Sequence, residues 1–285
     1  MTRRFFSLAA AALVLAAALP TLADVRLPAL FTDHMVLQQG QKNRVWGWAD
    51  AGEAVVVTIA GQRHTATADA KGKWLVTLDA LPVGGPHTLA VTGKNKLAVE
   101  DVLVGEVWIC SGQSNMQWAV AQSNDPDLES KTAKYPKIRL ISVPQVGTQE
   151  PQDDFQGKWE VCTPETVSQF SAVGYFFGRQ LHQTLDVPIG LIDDAWGGSA
   201  CEAWVRRDLL AQDEKYKPLL ARWEQIEKNY DAAKAQATYQ KQVADWEAAR
   251  AKAKTEGRPA PQRPRPPVNL LAGNARPGNI YNGVL

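Results

Sequence analysis

An apolar run over residues 102–110 that breaks into Gly112-Gln113-Ser114-Asn115-Met116 constrains this chain more than any other stretch. The run, Val-Leu-Val-Gly-Glu-Val-Trp-Ile-Cys, is rich in β-branched and aromatic residues. That composition suits a strand buried on both faces of a sheet. The polar, Gly-flanked residues beyond it cannot continue such a strand, so they predict a tight turn, with a helix able to begin at Met116. A serine on a sharp strand-to-helix turn presents its hydroxyl at the carboxyl edge of a parallel sheet, where α/β enzymes place their sites. An isolated Gly-x-Ser is ordinarily only a turn. Here strand, turn and following segment agree, and Ser114 is the candidate nucleophile.

The start of the chain reads as an address. Arg3 and Arg4 precede an apolar run, and Thr21-Leu22-Ala23 offers the small residues that a signal peptidase reads. Residues 1–23 are expected to be a secretory signal, too short to span a bilayer comfortably. No lipobox cysteine follows. The mature protein is therefore expected to be exported, periplasmic or secreted, with no membrane insertion.

Charge then narrows the partners. With 31 basic and 30 acidic residues the net charge is +1, which gives no electrostatic case for nucleic acid. The four histidines (His34, His64, His87 and His182) show no metal-ligand spacing with one another or with the cysteines, so no metal site is expected. Three cysteines leave at least one unpaired within the chain. Cys110, ending the buried run, is expected to be a free thiol, and Cys162 with Cys201 is the pair open to bridging.

Residues 24–100 carry short β-rich runs at roughly even spacing, among them 44–48, 54–59, 73–78 and 87–92, separated by Gly, Asp, Asn and Pro clusters. This pattern predicts a β-sandwich. Trp46, Trp48 and Trp74 either fill its core, the commoner use of strand aromatics, or stack on sugar rings. From residue 101 the pattern turns α/β. Residues 137–143 and 187–192 read as buried strands. Between them Phe170, Val173, Phe176, Phe177, Leu181 and Leu185 recur at helical spacing, with Ser168 or Ser171 as the cap. Asp193-Asp194-Ala195-Trp196-Gly197-Gly198-Ser199 follows. A Gly-Gly pair straight after a strand lets the backbone approach a ligand and point amides at an oxyanion; a plain turn is the alternative. Residues 208–256, rich in Ala, Lys, Glu and Gln with apolar steps of three and four, predict one long helix or a helical pair inserted into the domain. Residues 257–268 read as a Pro/Arg-rich extended linker.

Three stretches carry a resemblance. Val104-Gly105-Glu106-Val107-Trp108-Ile109-Cys110-Ser111-Gly112-Gln113-Ser114-Asn115-Met116 resembles the nucleophile block of bacterial sialate O-acetylesterases, serine esterases with the flavodoxin-like SGNH-hydrolase fold. Trp196-Gly197-Gly198, followed by Glu202-Ala203-Trp204, resembles the family's second block, although members often carry Thr where Ser199 stands. Leu30-Phe31-Thr32-Asp33-His34-Met35-Val36-Leu37-Gln38 and residues 274–285 are similar to further parts of it.

The resemblance implies an acyl transfer in which Ser114 attacks an acetyl carbonyl and no cofactor is used. It also implies an oxyanion hole of Ser114 and Gly198, with Gly197 as the near alternative. Gln113, Asn115 and Glu202 are the pocket candidates. The implied substrate is an acetylated carbohydrate, whether sialic acid or another glycan such as xylan. A non-catalytic carbohydrate-binding protein on the same scaffold is the competing reading. The fold implied is an N-terminal β-sandwich followed by a flavodoxin-like parallel sheet over residues 101–285. That sheet is expected to be incomplete and the chain as it stands inactive, because the family's late Asp-x-x-His block, source of the base, is not found before Leu285.

Overall fold

The computed structural model describes residues 24–284, so the signal expected at residues 1–23 lies outside the described residues. Seven strands come first: β1 Val36–Gln38, β2 Arg44–Trp48, β3 Ala54–Ile59, β4 Gln62–Thr67, β5 Lys73–Thr77, β6 Gly84–Thr92 and β7 Lys96–Gly112. The order then becomes mixed, with α1 Ser114–Gln117, α2 Pro126–Thr132, β8 Tyr135–Ser142, β9 Glu160–Cys162, α3 Ala172–Leu185 and β10 Ile189–Ala195. Four further helices close it: α4 Arg207–Leu210, α5 Lys217–Asn229, α6 Ala232–Thr255 and α7 Asn279–Val284.

β7 organises the molecule. Its first half pairs antiparallel with β6 and, at residues 103–105, parallel with β1. Its second half pairs parallel with β10, Glu106 opposite Ile189 through Gly112 opposite Ala195. The result is one eight-stranded mixed sheet in the order β4-β3-β6-β7-β10-β8-β9, with β1 paired to β7 off this path, beside a two-stranded sheet of β2 and β5. Two expectations change here. The boundary placed between residues 100 and 101 falls inside a continuous 17-residue strand, so the N-terminal strands extend the sheet that carries Ser114 instead of forming a sandwich apart from it. In addition, the three parallel strands β7, β8 and β10 lie with β10 in the middle. A flavodoxin-like sheet would place the first of them there.

Two cores follow from this layout. One gathers Val45, Trp74 and Val76 of the small sheet against Val55, Val57, Leu89, Val91 and Val102, and draws in Ile141 and Trp159 from the later chain. The other lies between β7, β8, β10 and α3 around Ile138, Leu140, Tyr175, Ile189 and Leu191. α3 starts where its cap permits: Ser171 Oγ accepts from the Gly174 N–H at 3.0 Å, as an N-cap serine does. Gly178 then lets the helix close on the sheet, since a Cβ there would stand 2.7 Å from Leu191 Cδ1.

Gly105 marks the passage between the two halves of β7. A Cβ on it would enter the van der Waals envelope of the Pro188 carbonyl oxygen at the start of β10. The obstacle is backbone, which cannot swing aside. Gly105→Ala is accordingly expected to lower stability by about 1–3 kcal/mol, the usual range for overpacking. Denaturant titration measures it, and an unchanged midpoint would show that β10 does not lie so close.

The helical insertion appears as the pair α5 and α6. It is tied down by Glu227, which takes Arg207 Nη1 at 2.6 Å and Arg276 Nε at 2.8 Å. Residues 257–268 carry no helix or strand. Among the described residues no helix is long and apolar enough to cross a membrane.

Candidate active site

The parallel register of β7 and β10 ends level, with Ala195 opposite Gly112. Two turns therefore leave the carboxyl edge of the sheet side by side, the position where open α/β sheets hold ligands. The Trp196 N–H donates to the Gly112 carbonyl at 2.9 Å and joins them.

The first turn is α1, a single helical turn from Ser114 to Gln117. The Met116 and Gln117 N–H groups donate to the Gln113 carbonyl at 2.9 and 3.0 Å. The helix expected from Met116 onward does not form: Trp118 leaves helical geometry (ψ 115°), and the next turn is a short 3-10 segment. Ser114 is exposed. Its hydroxyl donates to Gln113 Oε1 across a long 3.4 Å, and among the described residues no histidine or carboxylate hydrogen-bonds to it.

The second turn approaches the first through a glycine. A Cβ at Gly197 would stand 3.4 Å from Ser114 Cα, 3.5 Å from Ser114 Cβ and 2.6 Å from Gln117 Oε1. A side chain at Gly197 would press on Gln117 Oε1 and lie in van der Waals contact with the serine. The Gly197 N–H donates to Gln117 Oε1 at 2.5 Å, and its carbonyl accepts from Asn274 Nδ2 at 2.7 Å. Gly198 has φ +73°, the left-handed conformation that favours glycine. Its N–H has no hydrogen-bond partner among the described residues.

The structure thus brings Ser114, Gly197 and Gly198 together. Gln113 and Asn115 are exposed on the same turn. Glu202 sits half-buried in the 3-10 turn Cys201–Trp204, where its main-chain carbonyl accepts from the Gly278 N–H at 3.0 Å. Three residues that sequence reasoning passed over also support this edge. Gln117 and Asn274 hold the two sides of Gly197, and Gln145 Nε2 donates to the Ala195 carbonyl at 3.0 Å. Gln117 lies one turn after the serine, and Asn274 opens a stretch already noted for its resemblance; that proximity was the available signal.

Beneath the turns β10 carries two adjacent carboxylates. Burial, then the neighbouring Asp194, pushes Asp193 up to about 7, and burial pushes Asp194 up to about 6. Asp193 Oδ1 is buried with no hydrogen-bond partner among the described residues. Burial likewise raises the Cys110 and Cys162 thiols to about 12, so both stay protonated at neutral pH. All three cysteines are free, so the Cys162–Cys201 bridge left open by the sequence is not formed.

The histidines are engaged elsewhere. His34 Nδ1 is 2.7 Å from Asp101, His64 Nε2 is 3.0 Å from Gln62 Oε1, and His182 Nδ1 is 2.8 Å from the Val187 carbonyl. His87 lies in β6. Among the described residues no group of three or more His, Cys, Asp or Glu side chains is placed to hold a metal ion.

Known proteins resemble this chain. The sialate O-acetylesterase of Mus musculus is 36% identical over 206 residues, covering 65% of this chain and 38% of that protein. That of Homo sapiens is 37% identical over 200 residues, covering 63% and 38%. The crystal structure of a carbohydrate acetylesterase from Xanthomonas citri superposes with a TM-score of 0.63 at 42% identity, over 64% of this chain and 42% of that one. The chain thus spans less than half the length of these relatives. The family model described as carbohydrate esterase, sialic acid-specific acetylesterase matches residues 104–251, a segment that contains both turns. Because that segment is just over half of the 285 residues, the chain belongs to the sialic acid-specific acetylesterase family of carbohydrate esterases.

Proposed function

We propose that this protein is an exported serine esterase that removes O-acetyl groups from a carbohydrate, sialic acid or a related glycan. The observation that carries the reading is the apposition of Ser114 and Gly197-Gly198 at the level ends of β7 and β10. Ser114 Oγ attacks the acetyl carbonyl carbon and gives its proton to a base. The carbonyl oxygen becomes an oxyanion facing main-chain N–H groups. Collapse expels the sugar oxygen, which takes up a proton, and leaves acetyl-Ser114; water then adds to the acyl carbon and releases acetate. Because the Gly197 N–H is given to Gln117 Oε1 while that of Gly198 is unengaged, Gly198 is the better oxyanion donor of the two. No metal or cofactor enters the scheme.

Nothing among the described residues supplies the base at Ser114. Purified residues 24–285 are therefore expected to hydrolyse p-nitrophenyl acetate no faster than their Ser114→Ala variant. Turnover that depends on Ser114 in this chain would place a base within it, with His34 the first to test.

The same observation favours one competing reading, a non-catalytic glycan-binding protein. Labelling with an organophosphonate separates the two. Covalent modification at Ser114 supports the esterase; an unlabelled serine supports the binding protein.

A further inference from the structure

The three tryptophans of the small sheet do not share a fate. Trp74 is 2% exposed and belongs to the first core. Trp46 and Trp48 alternate onto the opposite face of β2 and are half-buried, Trp46 packing at the margin of the same core. Across the strand pair they meet Leu75 and Lys73 of β5. Leu75 is 45% exposed, an unusual place for a leucine whose neighbours are two indoles.

These residues line a cavity of about 460 Å³, in the size range of small-ligand sites. Its polar groups stand at the rim. Arg44 precedes Trp46 on the same face and has no ion-pair partner among the described residues. Lys73 Nζ pairs with Asp153 at 2.7 Å, which brings the segment after β8 against the small sheet. Trp46 is braced edge-on by Phe31 with centroids 4.7 Å apart, and the Arg26 guanidinium covers Trp48 at 4.1 Å. Both indoles are thereby held in place before any ligand arrives.

Asp153 also lines a second cavity, of about 520 Å³, with Arg206, Asp208 and Tyr281 around it. Arg206 lies two residues beyond the Cys201–Trp204 turn that follows Gly197-Gly198. The two cavities share Asp153 as a lining residue.

We propose that the first cavity binds an oligosaccharide at a distance from Ser114, with a pyranose ring held at Trp46, Trp48 and Leu75, and that the sugar chain extends past Asp153 to Arg206. The chemistry matches. A pyranose offers an apolar C–H face that packs on indole and leucine, and a girdle of hydroxyls that bond to charged, planar side chains such as Asp153, Arg44 and Arg206. A purely apolar partner would leave those rim charges desolvated without recompense, and a single sugar would leave the second cavity empty. The proposal shares a glycan with the esterase reading but uses none of its catalytic residues.

Titration of the full chain with xylohexaose (neutral) and with a sialic acid hexamer (anionic), followed by tryptophan fluorescence, tests it. Saturable binding of at least one hexamer, tighter than that of the matching monosaccharide, is expected; the arm that binds identifies the charge of the glycan. Leu75→Glu changes an exposed residue and leaves the core untouched. It should weaken that binding by about tenfold, as should Trp48→Ala, which removes one stacked ring. Arg206→Ala should lower affinity for the hexamer while leaving the monosaccharide unchanged. Ser114→Ala should bind the hexamer as the parent does, which separates this site from the serine edge. Absence of saturable binding by either hexamer, or binding that Leu75→Glu and Trp48→Ala leave intact in chains with the parent's circular dichroism, overturns the proposal.

Discussion

Ser114→Ala, made in an active form of the protein, is expected to cut acetyl release by about 10⁴–10⁶-fold, the scale on which removal of a serine nucleophile is felt. The fold should not notice. Ser114 is exposed, and its one side-chain bond is the 3.4 Å contact with Gln113. The turn is instead held by main-chain bonds that alanine keeps, from Met116 and Gln117 to Gln113 and from Trp196 to Gly112. Thermal melting should therefore coincide for the two proteins while their rates diverge. Retention of more than a few per cent of the activity by a folded variant would remove Ser114 from the mechanism. Gly197→Ala is the instructive companion, because its methyl would press on Gln117 Oε1 and lie against the serine itself.

The sequence made the two turns legible because each follows a strand-forming run directly. A run of β-branched and aromatic residues cut short by Gly-x-Ser or Trp-Gly-Gly leaves little room for another local reading. Ser171 was likewise readable as a cap, with the apolar stripe of α3 beginning just after it. The sheet was not readable in the same way. Lys96–Gly112 crosses the expected boundary because alternation in its first half and the buried run over residues 102–105 both suit a strand; Trp108 and Ile109, expected to be buried on both faces, are instead exposed. Period-two patterning says which residues face inward, never which neighbour a strand takes. Strand order and the level ends of β7 and β10 are long-range outcomes for the same reason. Gln117 and Asn274 reach Gly197 from 80 and 77 residues away, so no local pattern announces them. The tryptophans are a partial exception. Trp46 and Trp48 are two apart and must share a face of one strand, which separates them in kind from Trp74 once β2 and β5 are paired.

The largest stability effect is expected at a different cluster, where β7, β8 and the loop before β1 meet. Arg139 in β8 has only 5% of its side chain exposed, and its Nη1 pairs with Asp101 at 2.6 Å. His34 Nδ1 lies 2.7 Å from the same carboxylate, and Arg139 Nε donates to the Pro136 carbonyl at 3.0 Å. Both His34 (φ +70°) and Asp101 (φ +55°) adopt left-handed backbone that non-glycine residues seldom take, a strain the surrounding contacts must hold. Asp101→Asn keeps the shape but leaves a buried guanidinium without its counter-charge. Breaking such a pair typically costs several kcal/mol; with the Asp101 side chain 34% exposed, about 3 kcal/mol is expected. The hydrogen bond from Arg139, followed by that from His34, holds the Asp101 carboxyl below its usual range against the opposing effect of burial. A carboxylate depressed in the folded state adds stability that is present above its unfolded value, about 3.9, and lost as pH falls through the folded one. The parent should therefore lose stability on acidification below about pH 4 more steeply than Asp101→Asn, which has no carboxylate to protonate there. Denaturation midpoints of the two proteins across that range measure both effects. Arg139→Leu combined with Asp101→Asn removes the buried charge altogether and should recover part of the loss, a coupling that a double-mutant cycle reads directly. Equal midpoints at neutral pH, or parallel acid slopes, would mean that Arg139 finds its counter-charge elsewhere and that this cluster does not clasp β8 and the loop before β1 to β7.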